Sequence, residues 1–87
     1  MIGVVLVFDN KFLVDLYVLS LDKHFEMFIP VDEKVGNIVN LLDKSLLSML
    51  SSNNKFALLN LYSGKVYKNN DVVRNTDIRN GTKLMLM

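Results

Sequence analysis

The sequence predicts an α+β domain in which one main helix packs on one face of a mixed sheet of four to five strands. Three observations predict it. Apolar and β-branched runs alternate with turn signals, one central stretch has helical periodicity, and an Asn80-Gly81 turn precedes a last alternating strand. The predicted order is two strands, one helix and then further strands, and such an order covers one face of a sheet with a single helix.

The first third of the chain predicts a β-hairpin. Phe12 to Leu21 is the first strand, Asp22-Lys23 the turn and His24 to Ile29 the returning strand. Pro30 has no backbone N–H and therefore ends the ladder. Alternation with Glu26 and Phe28 indicates which side chains of the returning strand face the core: Phe25, Met27 and Ile29.

A helix is predicted over residues 33 to 50. Asp32 is the expected N-cap, and Glu33 favours the positive end of the helix dipole. Gly36 costs about 1 kcal/mol relative to alanine inside a helix, so we expect a close approach to a strand at this residue. Apolar residues at three- and four-residue spacing form one core-facing stripe, which comprises Val35, Ile38, Val39, Leu42, Leu46, Met49 and Leu50.

The second half of the chain predicts two further strands and a short partner strand. Phe56 to Tyr62 is a strand, Gly64-Lys65 a turn and Val66-Tyr67 a short partner. Residues 69 to 80 are polar with isolated apolar positions, which indicates a tethered loop with a brief helical turn. Lys83 to Met87 is the last strand, expected beside the Phe12–Leu21 strand.

Composition indicates one domain over residues 1–87. Net charge is +1, from ten basic and nine acidic residues without a basic block, so neither nucleic acid nor anionic lipid is an expected partner. There is no cysteine, which excludes a disulfide framework and fits a cytoplasmic location. The first eight residues are apolar, but they lack a positive region and a cleavage site and end at Asp9. We therefore expect a buried strand there, not a signal peptide or a membrane span.

No motif predicts catalysis, a metal or a cofactor. His24 is the only histidine, and a metal site would need clustered ligands. The four glycines are too scattered for a phosphate-binding loop, and the serines lack the strained turn that exposes a nucleophile. We therefore expect no enzyme activity and no cofactor.

The order of elements resembles the ubiquitin-like β-grasp family over residues 12 to 87. The helix residues Val35, Ile38 and Leu42 and the Gly64-Lys65 turn carry this resemblance. The pattern is similar in more detail to the YukD-type ubiquitin-like proteins of Gram-positive type VII secretion loci. The matching stretches are Phe25-Glu26-Met27-Phe28-Ile29-Pro30 before the helix and Ile78-Arg79-Asn80-Gly81-Thr82-Lys83-Leu84 at the last turn.

The resemblance implies a non-conjugated protein-interaction module. Met85-Leu86-Met87 stands where conjugated modifiers and sulfur carriers of this fold have a diglycine tail, so we expect neither activity. The implied role is a cytosolic accessory component of a type VII secretion system, with a protein partner at the cytosolic face of a membrane complex. The alternative is a ubiquitin-like adaptor of another pathway.

Two candidate interaction surfaces follow. In ubiquitin-like domains an apolar patch on the exposed sheet face commonly binds partners, and the match places Leu61 and Met87 on it, with Lys65 and Lys83 at its rim. The second surface is the run from Ile2 to Phe8. As an added edge strand over residues 1–10, it would pair through open backbone groups with a second copy or with a partner strand, and we expect it to drive self-association. Its alternating residues are Ile2, Val4 and Leu6.

One position in the predicted sheet has two interpretations. Asn60 falls where the resemblance expects an inward apolar residue. Either the strand shifts by one residue and places Leu59 and Leu61 inward, or Asn60 has a buried hydrogen-bond partner. The alternating pattern favours the shift, because an unsatisfied buried amide costs about 1–3 kcal/mol.

Overall fold

The structure, a computed structural model, describes residues 10–47 and 56–87, apart from the side chains of Leu46 and Leu47. Within these ranges one helix and four strands form. They are β1 (Lys11–Val18), β2 (Lys23–Pro30), α1 (Val35–Leu42), β3 (Leu58–Asn60) and β4 (Lys83–Leu86). A π-helical turn, Asp43–Leu47, follows α1, and a 3₁₀ turn lies at Val73–Asn75.

The strands form one mixed sheet with the order β2-β1-β4-β3. β1 pairs with β2 and β3 pairs with β4 in antiparallel fashion, whereas β1 and β4 are parallel. The predicted α+β fold, with one helix on one face of a mixed sheet, is confirmed with four strands in the described ranges. The proposed extra strand over residues 1–10 lies almost wholly outside those ranges.

The core lies between the inner face of the sheet and α1. Every second side chain of the two central strands is almost fully buried, as period-two alternation requires. The predicted stripe of α1 packs against them and is confirmed where it is described. Leu46, Met49 and Leu50 lie outside the described side chains. The central core residues are Val14, Leu16, Val18, Leu84, Leu86, Val35, Ile38, Val39 and Leu42.

The start of α1 differs from the prediction. Its N-cap is Lys34, without a side-chain cap, so the prediction of Asp32 is wrong. Asp32 instead accepts a hydrogen bond from Arg74 Nε at 2.7 Å on the surface. The first helical N–H groups donate to loop carbonyls, from Val35 to Asp71 at 2.8 Å and from Gly36 to Asn69 at 3.0 Å. The loop backbone therefore satisfies N–H groups that a side-chain cap would otherwise satisfy.

Gly36 permits this contact. A Cβ added to Gly36 would lie 2.9 Å from Asn69 Cβ and 3.0 Å from Asn69 O, closer than a side chain tolerates. The expected close approach is therefore present, but the neighbour is the 69–71 loop rather than a strand. Glycine destabilises the helix relative to alanine, but its lack of a side chain lets the loop carbonyl reach the helix N-terminus.

The last turn joins the loop to the sheet. Gly81 has a φ of 87°, a conformation that favours glycine. Its N–H donates to Leu13 O at 2.8 Å, and Asn80 Oδ1 accepts from Leu13 N–H at 2.8 Å. The predicted Asn80-Gly81 turn is confirmed, and it starts β4 beside β1. No helix in the described part of the chain is long and apolar enough to span a membrane.

Two adjacent leucines test the orientation of α1. Leu42 is 4% exposed, whereas Leu41 is 65% exposed. Replacing Leu42 with alanine should lower the free energy of unfolding by about 2–5 kcal/mol, because it leaves a cavity in the core. The matched Leu41→Ala change should alter it by no more than about 0.5 kcal/mol. Urea titration followed by circular dichroism measures both, and equal losses would contradict the helix orientation.

Candidate protein-interaction surface

The sheet face opposite α1 carries a patch of apolar side chains. The register pairs Leu59 with Met85, and an isolated bridge pairs Leu59 with Val66, so the three side chains share this face. Leu61 and Met87 lie at outward positions on either side of the Leu59–Met85 pair, and both are about half exposed, 45% and 42%. We call these five residues the apolar patch: Leu59, Leu61, Val66, Met85 and Met87.

The two predicted lysines lie differently relative to the apolar patch. Lys83 is exposed and its carbonyl accepts a hydrogen bond from Leu61 N–H at 2.9 Å, which places it beside the patch. Lys65 lies opposite Asn60 in the short antiparallel pairing, so its side chain points to the opposite face of the strand from the Val66 side chain. Its Nζ lies 5.8 Å from the centroid of the Tyr67 ring. The structure thus places Lys83 beside Leu61, places Met87 opposite Ala57 at the other end of the apolar patch, and directs Lys65 toward Tyr67.

The β1–β2 half of the same face is mainly polar, apart from Leu13 and Phe28, which lie opposite each other. Asp15 lies opposite Glu26 on β2 and opposite Lys83 on β4. His24 Nδ1 is 3.6 Å from Asp15 Oδ1, and the rings of His24 and Tyr17 have centroids 4.7 Å apart. Lys83 therefore lies between Asp15 of β1 on one side and Leu61 of the apolar patch on the other.

A hydrogen-bonded cluster of polar groups, of which Asn60 and Tyr67 are buried and Asp77 is exposed, lies on the inner side of β3. Asn60 is only 3% exposed. Its Nδ2 donates to the Tyr67 hydroxyl at 3.0 Å, and its Oδ1 accepts from the N–H groups of Tyr62 at 2.8 Å and Ser63 at 3.3 Å. The Tyr67 hydroxyl in turn donates to Asp77. We call Asn60, Tyr67 and Asp77 the polar cluster.

This geometry corrects the preferred interpretation of β3. The predicted shift, with Leu59 and Leu61 inward, is wrong, and the alternative of a buried partner for Asn60 is right. Leu58 and Asn60 point into the core, whereas Leu61 is exposed. The physical reason is that Tyr67 and the turn backbone satisfy the amide, so the cost of an unpaired buried group does not arise.

The polar cluster shifts the pKa values of its ionisable members in opposite directions. Burial, followed by the hydrogen bond to Asp77, raises the pKa of Tyr67 to about 12. The same hydrogen bond lowers the pKa of Asp77 below its ordinary value of 3.8. Both shifts favour a neutral phenol that donates to a charged carboxylate, which is the arrangement the contacts require.

Sequence reasoning did not include Leu59 and Val66 among the surface candidates. Once Asn60 is inward, period-two alternation places Leu59 outward, and the Gly64 turn, with a φ of 74°, returns Val66 beside it. The other candidates, Ile2, Val4 and Leu6, lie outside the described residues. Within the described ranges no group of His, Cys, Asp or Glu is suited to hold a metal ion.

Comparison with known proteins identifies the fold. No protein-family model and no curated protein sequence matches the chain. Solved structures do match. One is a chain from a structure described as "Molecular Mimicry of SUMO promotes DNA repair", with a TM-score of 0.70 and 18% identity over 90% of this chain and 91% of that one. The fold is the ubiquitin-like β-grasp. Ubiquitin from Caldiarchaeum subterraneum agrees, with a TM-score of 0.67 and 13% identity over 87% of this chain and 90% of the other.

A third similar structure belongs to a membrane complex. One chain of the ESX-5 inner membrane complex (MycP5-free, State II) matches with a TM-score of 0.73 and 14% identity. The match covers 90% of this chain and 21% of that chain, so it concerns one domain-sized part of a longer protein. At such identities the likeness shows the ubiquitin-like fold alone.

The Tyr67–Asp77 hydrogen bond predicts a pH dependence. Because the folded-state pKa of Asp77 is lowered, its contribution to stability is present above pH 4 and is lost as pH falls through the folded value. Tyr67→Phe removes the donor, so the Asp77 pKa should rise toward about 3.9. Carboxyl carbon NMR titration measures the shift. The control Tyr62→Phe, at an exposed tyrosine, should leave it unchanged. An Asp77 that titrates identically in the wild type and Tyr67→Phe would refute this assignment.

Proposed function

We propose that this chain is a ubiquitin-like protein-interaction module that binds a protein partner non-covalently through the apolar patch. The observation that carries the proposal is the exposure of Leu61 and Met87 on a sheet face that α1 leaves uncovered. Large apolar side chains grouped on an open face are typical of interaction sites. Lys83 at the margin provides a charge that would favour an acidic group on the partner.

We further propose that the partner belongs to a type VII secretion system and that the chain acts as its cytoplasmic accessory component. Support comes from the sequence resemblance to YukD-type proteins and from the similarity to part of one ESX-5 inner-membrane-complex chain. The alternative is an adaptor of another pathway. The likeness to the SUMO-mimicry structure and to an archaeal ubiquitin favours this alternative, because neither description refers to secretion.

A titration tests the surface and the pathway together. Methyl-labelled protein is titrated with the purified cytosolic ATPase domains of the type VII system from the same organism. The methyl signals of Leu61, Met85 and Met87 should shift, and Leu61→Glu should weaken binding at least about tenfold, because a buried charge replaces an apolar contact.

Leu41 provides the matched control for this titration. It is 65% exposed and lies on α1, which packs on the opposite face of the sheet from the apolar patch, so Leu41→Glu should bind as the wild type does. Shifts confined to α1, or equal binding by both glutamate variants, would exclude the patch. No binding to any of the ATPase domains would exclude the proposed pathway.

Self-association through residues 2–8 remains a proposal, supported by the position of β2 at an edge of the described sheet. If this run pairs with a second copy, the double change Val4→Lys and Leu6→Lys should convert a dimer to a monomer, because two charges replace apolar strand residues. Light scattering on the full chain measures the mass, with Leu41→Lys as control. A monomeric wild type, or a dimer that survives the double change, would reject the proposal.

A further inference from the structure

β3 contains two competing apolar alternations. In the observed register Leu58 points inward and Leu59 points outward, and Asn60 and Leu61 repeat this order. A slip by one residue would exchange the two faces. It would bury Leu59 and Leu61 and expose Leu58 and Asn60, a net gain of one buried leucine. Apolar content alone therefore favours the slipped register, yet the structure has the other one.

The contacts of Asn60 exist only in the observed register. Its side chain makes three hydrogen bonds, one to the Tyr67 hydroxyl and two from the backbone of the following turn. Two backbone bonds close the same turn, from Asn60 N–H to Lys65 O at 2.9 Å and from Gly64 N–H to Asn60 O at 2.8 Å. Turning Asn60 outward would separate its amide from the Tyr67 hydroxyl, which is itself on a buried residue.

The polar cluster connects β3 to a part of the chain that is fixed independently. Asp77 accepts from the Tyr67 hydroxyl and from Ser63 Oγ, the latter at 3.3 Å. Its neighbours Thr76 and Ile78 are buried, and the Ile78 N–H donates to Thr76 Oγ1 at 3.1 Å. Asp77 therefore holds the Tyr67 hydroxyl in a constant place relative to the core, and the hydroxyl determines which residue of β3 points inward.

We propose that Asn60, Tyr67 and Asp77 are positioning residues that set the register of β3 and thereby present the apolar patch. In this proposal the polar cluster itself does not touch the partner. It keeps Leu59 and Leu61 on the open face, so the patch is available for docking only in the register that the cluster maintains. The binding half of this inference rests on the proposed function, whereas the register half does not.

Backbone contacts between β3 and β4 distinguish the two registers. Leu61 N–H donates to Lys83 O, and Ala57 and Met87 exchange two backbone bonds. In antiparallel alternation the pairs 58–86 and 60–84 are therefore not hydrogen-bonded and have close α-hydrogens. The wild type should therefore show α-hydrogen NOE contacts for Leu58–Leu86 and Asn60–Leu84. The Asn60→Ala variant should replace them with contacts from residues 59 and 61 to Leu84 and Leu86.

Two further variants keep this test decisive. Adding Leu59→Thr and Leu61→Thr to Asn60→Ala removes the apolar gain of the slipped register and should restore the observed contacts. If Asn60→Ala does not fold, the same α-hydrogen contacts are measured in Tyr67→Phe, which should populate both registers. The control Tyr62→Phe should populate only the observed register. Observed contacts that persist in both Asn60→Ala and Tyr67→Phe would overturn the proposal.

Binding supplies the second readout. The apparent Kd for the partner should rise in inverse proportion to the fraction of molecules in the observed register. If the two registers are equally populated, the Kd should double, and if only about 10% of molecules keep the observed register, it should rise about tenfold. A variant that changes register and binds normally would refute the docking role of the apolar patch while leaving the register assignment intact. A variant that keeps its register yet loses binding would refute the positioning role.

Discussion

The parallel pairing of β1 with β4 is the constraint on which the rest of the structure depends. It joins segments about 70 residues apart, Asp15–Val18 and Lys83–Leu86, at the centre of the sheet. The inward side chains of these two strands form the middle of the core, and α1 covers them. Because a single helix covers a single face, the opposite face of the same strands remains open. The pairing therefore determines both where the core lies and which face of the sheet stays open.

The register of β3 depends on the balance between the burial of leucine side chains and the hydrogen bonds of Asn60. Burying a leucine side chain stabilises by about 1.5–3 kcal/mol, which favours an inward Leu61. Each intramolecular hydrogen bond contributes about 0.5–1.5 kcal/mol net, and leaving its buried partner unsatisfied costs about 1–3 kcal/mol. Asn60 makes three such bonds and completes the contacts of Tyr67. The sum is comparable with the hydrophobic gain it opposes, so a specific polar arrangement decides the orientation of an otherwise apolar strand.

Elements governed by local periodicity could be predicted from the sequence. The alternation of Phe25, Met27 and Ile29 and the helical stripe beginning at Val35 both face the core, because each needs only neighbours along the chain. Interactions between distant segments were not predictable. The helix N-terminus uses the carbonyls of Asn69 and Asp71 rather than Asp32, and Asn60 uses a tyrosine seven residues away. In the candidate site, Leu61 and Met87 lie on the open face as the resemblance implied, and their binding role stays a prediction, whereas the outward positions of Leu59 and Val66 depended on the register that the sequence pattern misassigned.

The central claim is that the sheet presents Leu61 to solvent and to a partner on the face opposite α1. A soluble paramagnetic agent, added to methyl-labelled protein, reports this most directly through the relaxation of each methyl group. Leu61 and Met87 methyls should relax strongly, while those of Leu58 and Leu84, on the covered face, should be protected. Protection of Leu61 equal to that of Leu58 would show that β3 buries it and would contradict the account.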